Sequence, residues 1–557
     1  MRLSVLGALS LSSLASAFYL PGVAPTDYKK DDLVPLYVNH LTPSTSDATP
    51  EQQQLHSVWS YDYYLPKFGF CRPKGGPKKV SESLGSILFG DRILTSPFEL
   101  RMAKNETCKR LCGLRKYDKP MALFVTRKIW QNFNLNLLVD GLPAATETQD
   151  RRGNKYFTQG FPLGFVDVPE PEDDRPKAYF NNHYNFIIEY HKISARNGEP
   201  RFRVVGVTVL PDSRTSREDS TGEFGANCDD PTQISLDMEG GTEVLFTYSV
   251  NWTPSNTAWA TRWDKFLGVV DPNIHWFSLV NSAIIVVFLT SMVGMVLLRA
   301  LRKDISRYNQ LDLNEDVQDD SGWKLVHGDV FRPPKNPMLL SIFLGSGAQL
   351  FFMAGCTIVF ALLGFLSPSN RGSLGTVAIL LYTLLGFVGG YVSARVYRTL
   401  GGEAWKQNIA YTPVVVPGIV FGTFFLLNLF LFFQQSSGAV PFTTMLALIC
   451  IWFIISVPLS FSGGWVGFRA RIPEAPVRTN QIPRQIPPSQ TYLRPIPSML
   501  LAGILPFGAI FVELYFIMNS IWFHKVYYMF GFLFVCYGIM VSHAFHVSHS
   551  LLLRLTW

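Results

Sequence analysis

Charged residues are scarce in this sequence. They make up 16% of it, against about 25% in soluble domains. Hydrophobic residues reach 48%, with 43 phenylalanines, and that bias is what a polytopic membrane protein needs. Several chemical signatures are missing altogether. There is no phosphate-cradling Gly-Lys-Ser/Thr loop, no HExxH helix and no GxSxG nucleophile elbow. Without an assembled catalytic constellation, a non-enzymatic protein with no cofactor is expected. No internal repeat stands out either. The net charge of +7 does not point to nucleic acid. The bases flank apolar blocks, as membrane topology requires, and no basic stripe interleaved with aromatics occurs.

What is present is organised around one stretch. A membrane span needs about 20 mostly apolar residues, and Trp276 through Leu298 supplies them without a charge. His275 and Trp276 stand at one end, where amphipathic rings favour the interface. Arg299, Arg302, Lys303 and Arg307 stand at the other and mark the cytosolic side. Residues 271–299 are therefore expected to form the first transmembrane helix. With 557 residues the chain exceeds one ordinary core, and this helix divides it into a water-soluble half and a membrane half. At the N-terminus, Arg2, the short apolar run Leu3 to Leu14 and the small residues Ala15-Ser16-Ala17 read as a secretory signal peptide over 1–17.

Residues 18–270 are expected to be lumenal. Short runs rich in Val, Phe, Tyr and Ile recur between Gly, Pro, Asn and Asp clusters: Met121–Trp130, Tyr184–Tyr190, Arg201–Leu210 and Val244–Val250. Few stretches show a helical period, so an all-β, sandwich-like domain is predicted. Cys71, Cys108, Cys112 and Cys228 fall in this oxidising space and are disulfide candidates. Cys108 and Cys112 are close enough for a local bridge, which would leave Cys71 with Cys228, but three pairings stay open. A metal site lacks a second paired motif and clustered His. Asn105-Glu106-Thr107 and Asn251-Trp252-Thr253 match the N-glycan acceptor pattern, with Pro254 weighing against the second.

Residues 300–338 mix both charges and read as a cytosolic linker or partner surface. Six further apolar blocks, near 339–366, 374–396, 411–434, 442–468, 497–520 and 526–546, predict a six-helix membrane domain over 339–550. The bases Arg395, Arg398, Lys406, Arg469, Arg471, Arg478, Arg484 and Arg494 lie in the connections on one side. The other side carries only Arg371 and Lys525, which agrees with the orientation of the first span and a cytosolic C-terminus. Residues 551–557 form an atypical tail. Small residues spaced four apart, Gly386 and Gly390, Gly418 and Gly422, Gly463 and Gly467, let helices approach closely. They serve either packing within this bundle or a face for another protein's transmembrane helix. Glu513 lies mid-span, where an acid is costly and by default a functional candidate; a carboxyl neutralised by hydrogen bonds from neighbouring helices is the alternative. His543, His546 and His549 lack the carboxylate or thiolate that would make a metal site.

Several stretches together resemble one family, the nonaspanins or transmembrane nine superfamily (endomembrane protein 70-like). Phe18-Tyr19-Leu20-Pro21-Gly22-Val23-Ala24-Pro25 is similar to its mature N-terminus, and Glu82-Ser83-Leu84-Gly85 with Gly90-Asp91-Arg92-Ile93 to its early lumenal motif. Trp259-Ala260-Thr261-Arg262-Trp263-Asp264, His275-Trp276-Phe277-Ser278 and Asp304-Ile305-Ser306-Arg307-Tyr308-Asn309 resemble the flanks of its first span. The most specific matches are the run Gly322 to Arg332, then Gly389-Gly390-Tyr391-Val392-Ser393-Ala394-Arg395, and Ile504-Leu505-Pro506-Phe507-Gly508. These motifs carry the resemblance from residue 18 to about 534, ending in Tyr527 to Phe534. The ending Leu551 to Trp557 departs from the family pattern of two further spans and a lysine-containing sorting tail, which implies a truncated isoform or a faulty gene assignment.

The resemblance implies a glycoprotein of Golgi and endosomal membranes that takes part in vesicular transport. It implies that the protein sorts or chaperones other membrane proteins, particularly those with glycine-rich spans. The lipid bilayer, cargo transmembrane helices and cytosolic coat or sorting factors are the implied partners. A helix rich in Gly packs weakly in lipid, and a receptor with its own small-residue faces binds it by close contact. Glu513 and the three Gly pairs are the candidate cargo-recognition residues. The alternative is a transporter or channel, proton-coupled through Glu513.

Overall fold

The computed structural model describes residues 25–44, 59–149, 155–167, 177–194, 200–215, 217–218, 224–225, 232–267, 273–310, 328, 331–366 and 372–472, with isolated positions between 477 and 542. The expected signal peptide, the atypical tail, Glu513, the three C-terminal histidines and Cys228 lie outside the described residues.

The N-terminal half is β-rich. Its larger sheet has six strands in the order Lys155–Gln159, Ala145–Gln149, Pro200–Asp212, His183–Ser194, Thr247–Pro254 and Glu106–Arg110. A long antiparallel hairpin, His183–Ser194 with Pro200–Asp212, forms its centre, and its register shifts between Glu189 and Tyr190. Thr247–Pro254 adds in parallel on the far side of His183–Ser194. A second sheet orders Phe161–Pro162, Phe133–Val139, Leu36–Pro43 and Leu94–Thr95. Along Phe133–Val139, Phe133, Leu135 and Leu137 are buried while Asn134 and Asn136 are half-exposed, the period-2 alternation of a one-sided strand. Both sheets share one apolar core: Phe161 of the smaller sheet lies 5.3 Å from Tyr184 of the larger, and Phe98 meets Phe186 and Tyr248 edge-on.

Two helices interrupt this β-domain. Helix α1 (Leu84–Leu88) is short and capped by Ser83, whose hydroxyl accepts from the Ser86 amide at 3.2 Å. Helix α2 (Lys119–Trp130) occupies Met121–Trp130, which the sequence reading placed among the strands. The correction has a physical reason. Pro120 stands in the first turn, and Ala122, Val125 and Ile129 are buried together at the three- and four-residue spacing of a helical stripe. The run is short and almost continuously apolar, so its composition resembled a strand and its period did not show.

A 38-residue helix, α3 (Asn273–Gln310), contains the first predicted span and continues through Arg299, Arg302, Lys303 and Asp304. Residues 300–310, read from sequence as linker, extend the helix. Among the described residues, four helices that follow it are long and apolar enough to cross a membrane: Pro337–Leu362, Ser373–Thr399, Trp405–Phe433 and Phe442–Arg469. They coincide with the first four of the six later apolar blocks. The first is α4. The second is built of α5 (Ser373–Leu384) and α6 (Gly386–Thr399). The third is α7 (Trp405–Phe433). The fourth joins α8 (Phe442–Ile451) to α9 (Val457–Arg469) through a π-helical turn, Trp452–Ser456. A shorter apolar helix, Leu533–Ser542, falls in the last block. The chain forms two compact units: Met1–Gly268 with Gly364–Thr376 and Thr423–Leu446, and Val269–Leu363 with Val377–Gly422 and Ala447–Trp557.

Candidate helix-recognition site

Helix α6 is the central packing element of the membrane unit, because two of its faces lack side chains. Gly390 faces α9 so closely that an added Cβ would stand 2.0 Å from the Ser460 carbonyl oxygen. Gly463 of α9 returns the contact, 2.0 Å from the Phe387 carbonyl oxygen, and Gly467 meets Ala394 and Tyr391 at 2.8 Å. Gly386 stands at 3.2 Å from Ser456. The neighbouring Gly389 turns to α4, where the Cβ position of Gly345 is 2.6 Å from the Gly389 carbonyl oxygen. Successive helical residues are about 100° apart, so the adjacent pair Gly389-Gly390 serves two partner helices at once. Four of the six glycines singled out from sequence are thus filled by this chain's own backbone, the packing alternative. Gly345, Gly389 and Gly464 were missed. The signal for two of them was a glycine doublet, Gly389-Gly390 and Gly463-Gly464, which a search for four-residue spacing does not register.

Polar side chains seal the same seam. Asn408 of α7 donates through Nδ2 to Ser341 Oγ at 3.0 Å and Ser393 Oγ at 3.2 Å. The Ser393 and Thr412 hydroxyls lie 2.9 Å apart. Gln349 donates to the Tyr382 carbonyl at 2.6 Å. Asn408 is 1% exposed and Ser341 and Ser393 are 0% exposed, so these groups are satisfied inside the bundle, as a polar group in hydrocarbon must be. Among the described residues, every buried polar side chain in the helices from α4 to α9 is neutral.

The other glycine pair differs. Gly418 lies on α7 after two internal prolines, Pro413 and Pro417. Pro417 has no amide, so the carbonyl four residues earlier loses its helical partner. That carbonyl, of Pro413, accepts instead from Trp452 Nε1 at 2.9 Å. The Gly418 Cβ position is an ordinary 3.9 Å from the Trp452 ring, and at Gly422 nothing lies within 4 Å among the described residues. Ile419 and Val420 beside them are 61% and 62% exposed. Among the described residues, no atom packs against the Cβ position of Gly422, one turn beyond the indole anchored by the freed carbonyl.

The β-domain positions the remaining candidates. Cys71 bridges Cys112, with Cα atoms 5.8 Å apart, so the local Cys108–Cys112 pairing does not form; Cys108 is also disulfide-bonded. Asn105 and Asn251 are both exposed. Asn105 immediately precedes the strand Glu106–Arg110 and Asn251 lies on its neighbour, where Glu106 pairs with Val250; Asn105 Oδ1 accepts from the Trp252 amide at 2.9 Å, which leaves its Nδ2 for a glycan. The 82–93 motif folds on itself, on the first turn of α5 and on the loop between α7 and α8, all of its own unit. Asp91 accepts from Asn39 at 2.8 Å and Ser86 at 2.6 Å. The Gly85 amide donates to Thr376 Oγ1 at 3.0 Å, and Arg92 donates to the Ala439 carbonyl at 2.5 Å. Gly372, at φ +75°, has space for no side chain: a Cβ would sit 2.1 Å from the Ser86 nitrogen. Arg262 of the 259–264 motif pairs with buried Asp140 at 3.0 Å; Tyr28 also donates to that carboxylate at 2.7 Å. Burial holds the Asp140 carboxyl above its ordinary range, with Tyr28 and Arg262 opposing.

A two-part chain with a β-rich half, apolar spanning helices and these motifs can now be compared with known proteins. The Endomembrane protein 70 family matches residues 60–552. The chain belongs to that family. The match runs past residue 534, the last position carried by the motifs. Transmembrane 9 superfamily member 1 of Saccharomyces cerevisiae is 46% identical over 95% of this chain and 83% of its own length. Member 10 of Arabidopsis thaliana is 44% identical over 96% and 82%, and member 2 of Homo sapiens 42% over 97% and 83%. No solved structure matches the chain. The relatives' names are those of a membrane-protein superfamily and none is an enzyme name.

Proposed function

We propose that this superfamily member sorts or chaperones other membrane proteins in the Golgi and endosomes, by holding their glycine-rich transmembrane segments against α7. The observation that carries the reading is the contrast between glycine pairs. Gly386, Gly390, Gly463 and Gly467 are consumed by internal packing, whereas among the described residues nothing lies within 4 Å of the Gly422 Cβ position. A cargo helix with its own small residues approaches such a face closely and gains van der Waals contact that lipid does not supply. The neutrality of the buried polar groups from α4 to α9 favours packing over proton-coupled transport. Glu513 keeps its standing as a candidate contact. The β-domain is placed in the lumen and the C-terminus in the cytosol. Two features support the lumenal β-domain: the Cys71–Cys112 disulfide suits an oxidising compartment, and Gly85 and Arg92 contact the first turn of α5 and the loop before α8, at the ends of spans joined by base-poor connections.

The test uses cells lacking the endogenous relative and a reporter with a glycine-rich span. Expression of this chain should raise the reporter at the surface and leave a leucine-rich control unchanged. Gly418→Leu with Gly422→Leu should lower the gain about threefold or more, with normal protein levels. Gly390→Leu should instead reduce the level of the protein itself, since its side chain has no space. Equal delivery by the 418/422 variant, or equal response of the control, sinks the reading.

A further inference from the structure

We propose that the end of the membrane unit where α6, α7 and α9 meet binds the headgroup of an anionic lipid. Three observations place the site. First, the chain leaving α9 is held by arginines of α6. Arg398 donates to the Phe468 carbonyl and, at 2.9 Å, to the Ala470 carbonyl, and Arg395 donates to the Arg471 carbonyl. These guanidiniums take up the Phe468 carbonyl in the last turn of the helix and the two carbonyls just past its end, as cations at a helix C-terminus do. They also fix Arg469 and Arg471 beside them, both exposed. Trp405 of α7 packs 6.5 Å from Phe468, which brings exposed Lys406 to the same corner.

Second, the charge is uncompensated. Arg395, Arg398, Lys406, Arg469 and Arg471 take part in no ion pair among the described residues. The stretch 395–406 contains a single acid, Glu403. Topology alone asks for cations near a span. It does not ask for five gathered at one corner, two of them, Arg395 and Arg398, held by backbone carbonyls.

Third, the corner lies at the depth of a headgroup. Trp405 and Trp465 are 42% and 46% exposed, the position indoles take at the membrane–water interface. The Arg469 guanidinium lies 3.7 Å from the Trp465 ring centre and the Lys406 ammonium 5.6 Å from that of Trp405. The rings hold both cations at the edge of the apolar belt. A phosphate attached to acyl chains fits this arrangement: the chains lie along α7 and α9, and the phosphate accepts from Arg469, Arg471 and Lys406. A soluble acidic peptide would satisfy the charge and leave the exposed indoles unused.

The experiment uses the purified full chain in a zwitterionic detergent. Short-chain phosphatidylserine, a phosphatidylinositol phosphate and phosphatidylcholine are titrated separately, with retained lipid read by native mass spectrometry and protection by the thermal unfolding midpoint. The anionic lipids should be retained in preference to phosphatidylcholine. Arg469→Gln, Arg471→Gln and Lys406→Gln should each weaken retention about fivefold. Arg469→Lys, which keeps the charge and perturbs the fold least, should retain most of it. The proposal is overturned if phosphatidylcholine binds equally, or if the Gln variants retain anionic lipid as the parent does. It is also overturned if a soluble inositol phosphate or an acidic peptide binds as tightly as the lipid.

Discussion

At the scale of single residues, His183 carries the most direct consequence of burial. It opens the central strand of the six-stranded sheet and is 6% exposed. Its Nδ1 lies 2.8 Å from the Thr247 hydroxyl and its Nε2 3.4 Å from that of Ser249. Burial pushes the imidazole below its ordinary 6.5, Arg214 adds to the push, and Asp212 opposes it. Above the ordinary value both the native and the unfolded ring are neutral, and stability does not depend on this group. As pH falls through that value the unfolded chain takes up a proton that the native chain resists. Stability therefore drops with acidification until the lowered native value is reached. The thermal midpoint of the full chain should decline as pH falls below the ordinary imidazole value of 6.5, and His183→Gln should flatten part of the decline. An unchanged slope in the variant would assign the acid sensitivity elsewhere. Nothing in the sequence singled His183 out, because burial of a strand histidine depends on which neighbours the sheet topology brings. The glycine pairs were legible from their spacing. Their occupancy was not, since it depends on the partner helix: Ser460 and Phe387 fill two of them, and the sequence does not order helices in space.

At the scale of elements, the spans were legible because an uncharged run of about 20 residues has few alternatives. Their internal irregularities were less so. Pro417 announces a lost hydrogen bond from sequence, but not the indole that replaces it. The π-turn Trp452–Ser456 carries that indole, so a proline on one helix and a wide turn on another form one device. A double-mutant cycle reads it. Trp452→Phe should leave the Pro413 carbonyl without its donor, at a cost of about 1–2 kcal/mol. Pro417→Ala restores an amide that reaches the same carbonyl, so in that background Trp452→Phe should cost about 1 kcal/mol less. Unfolding of the four purified proteins gives the coupling, and a zero value would detach Trp452 from the proline. Helix α2 makes the converse point about legibility. Its stripe of Ala122, Val125 and Ile129 is helical, but it lies in a β-rich context and spans only twelve residues, too few for the period to outweigh composition.

At the scale of the whole molecule, the side of the membrane occupied by the β-domain decides which loops meet which compartment. Two features support the proposed lumenal side. The Cys71–Cys112 bridge closes a 41-residue separation, which requires an oxidising space in most cells. The 82–93 motif contacts Thr376 in the first turn of α5 and Ala439 in the loop before α8, at span ends whose connections are poor in bases. The glycan acceptors turn this into a measurement. Asn105 is exposed, with Oδ1 engaged by Trp252 and Nδ2 left to react. Asn251 is exposed as well, but its acceptor is followed by Pro254, and its strand is paired on both sides. Protein made in a eukaryotic cell should therefore lose one glycan increment of mass on endoglycosidase treatment. Asn105→Gln should abolish the shift and Asn251→Gln should leave it intact. Absence of any glycan on the parent chain, with the Cys71 and Cys112 thiols alkylated in intact cells, would put the β-domain in the cytosol. The sorting reading would then have to run from the opposite face of the membrane.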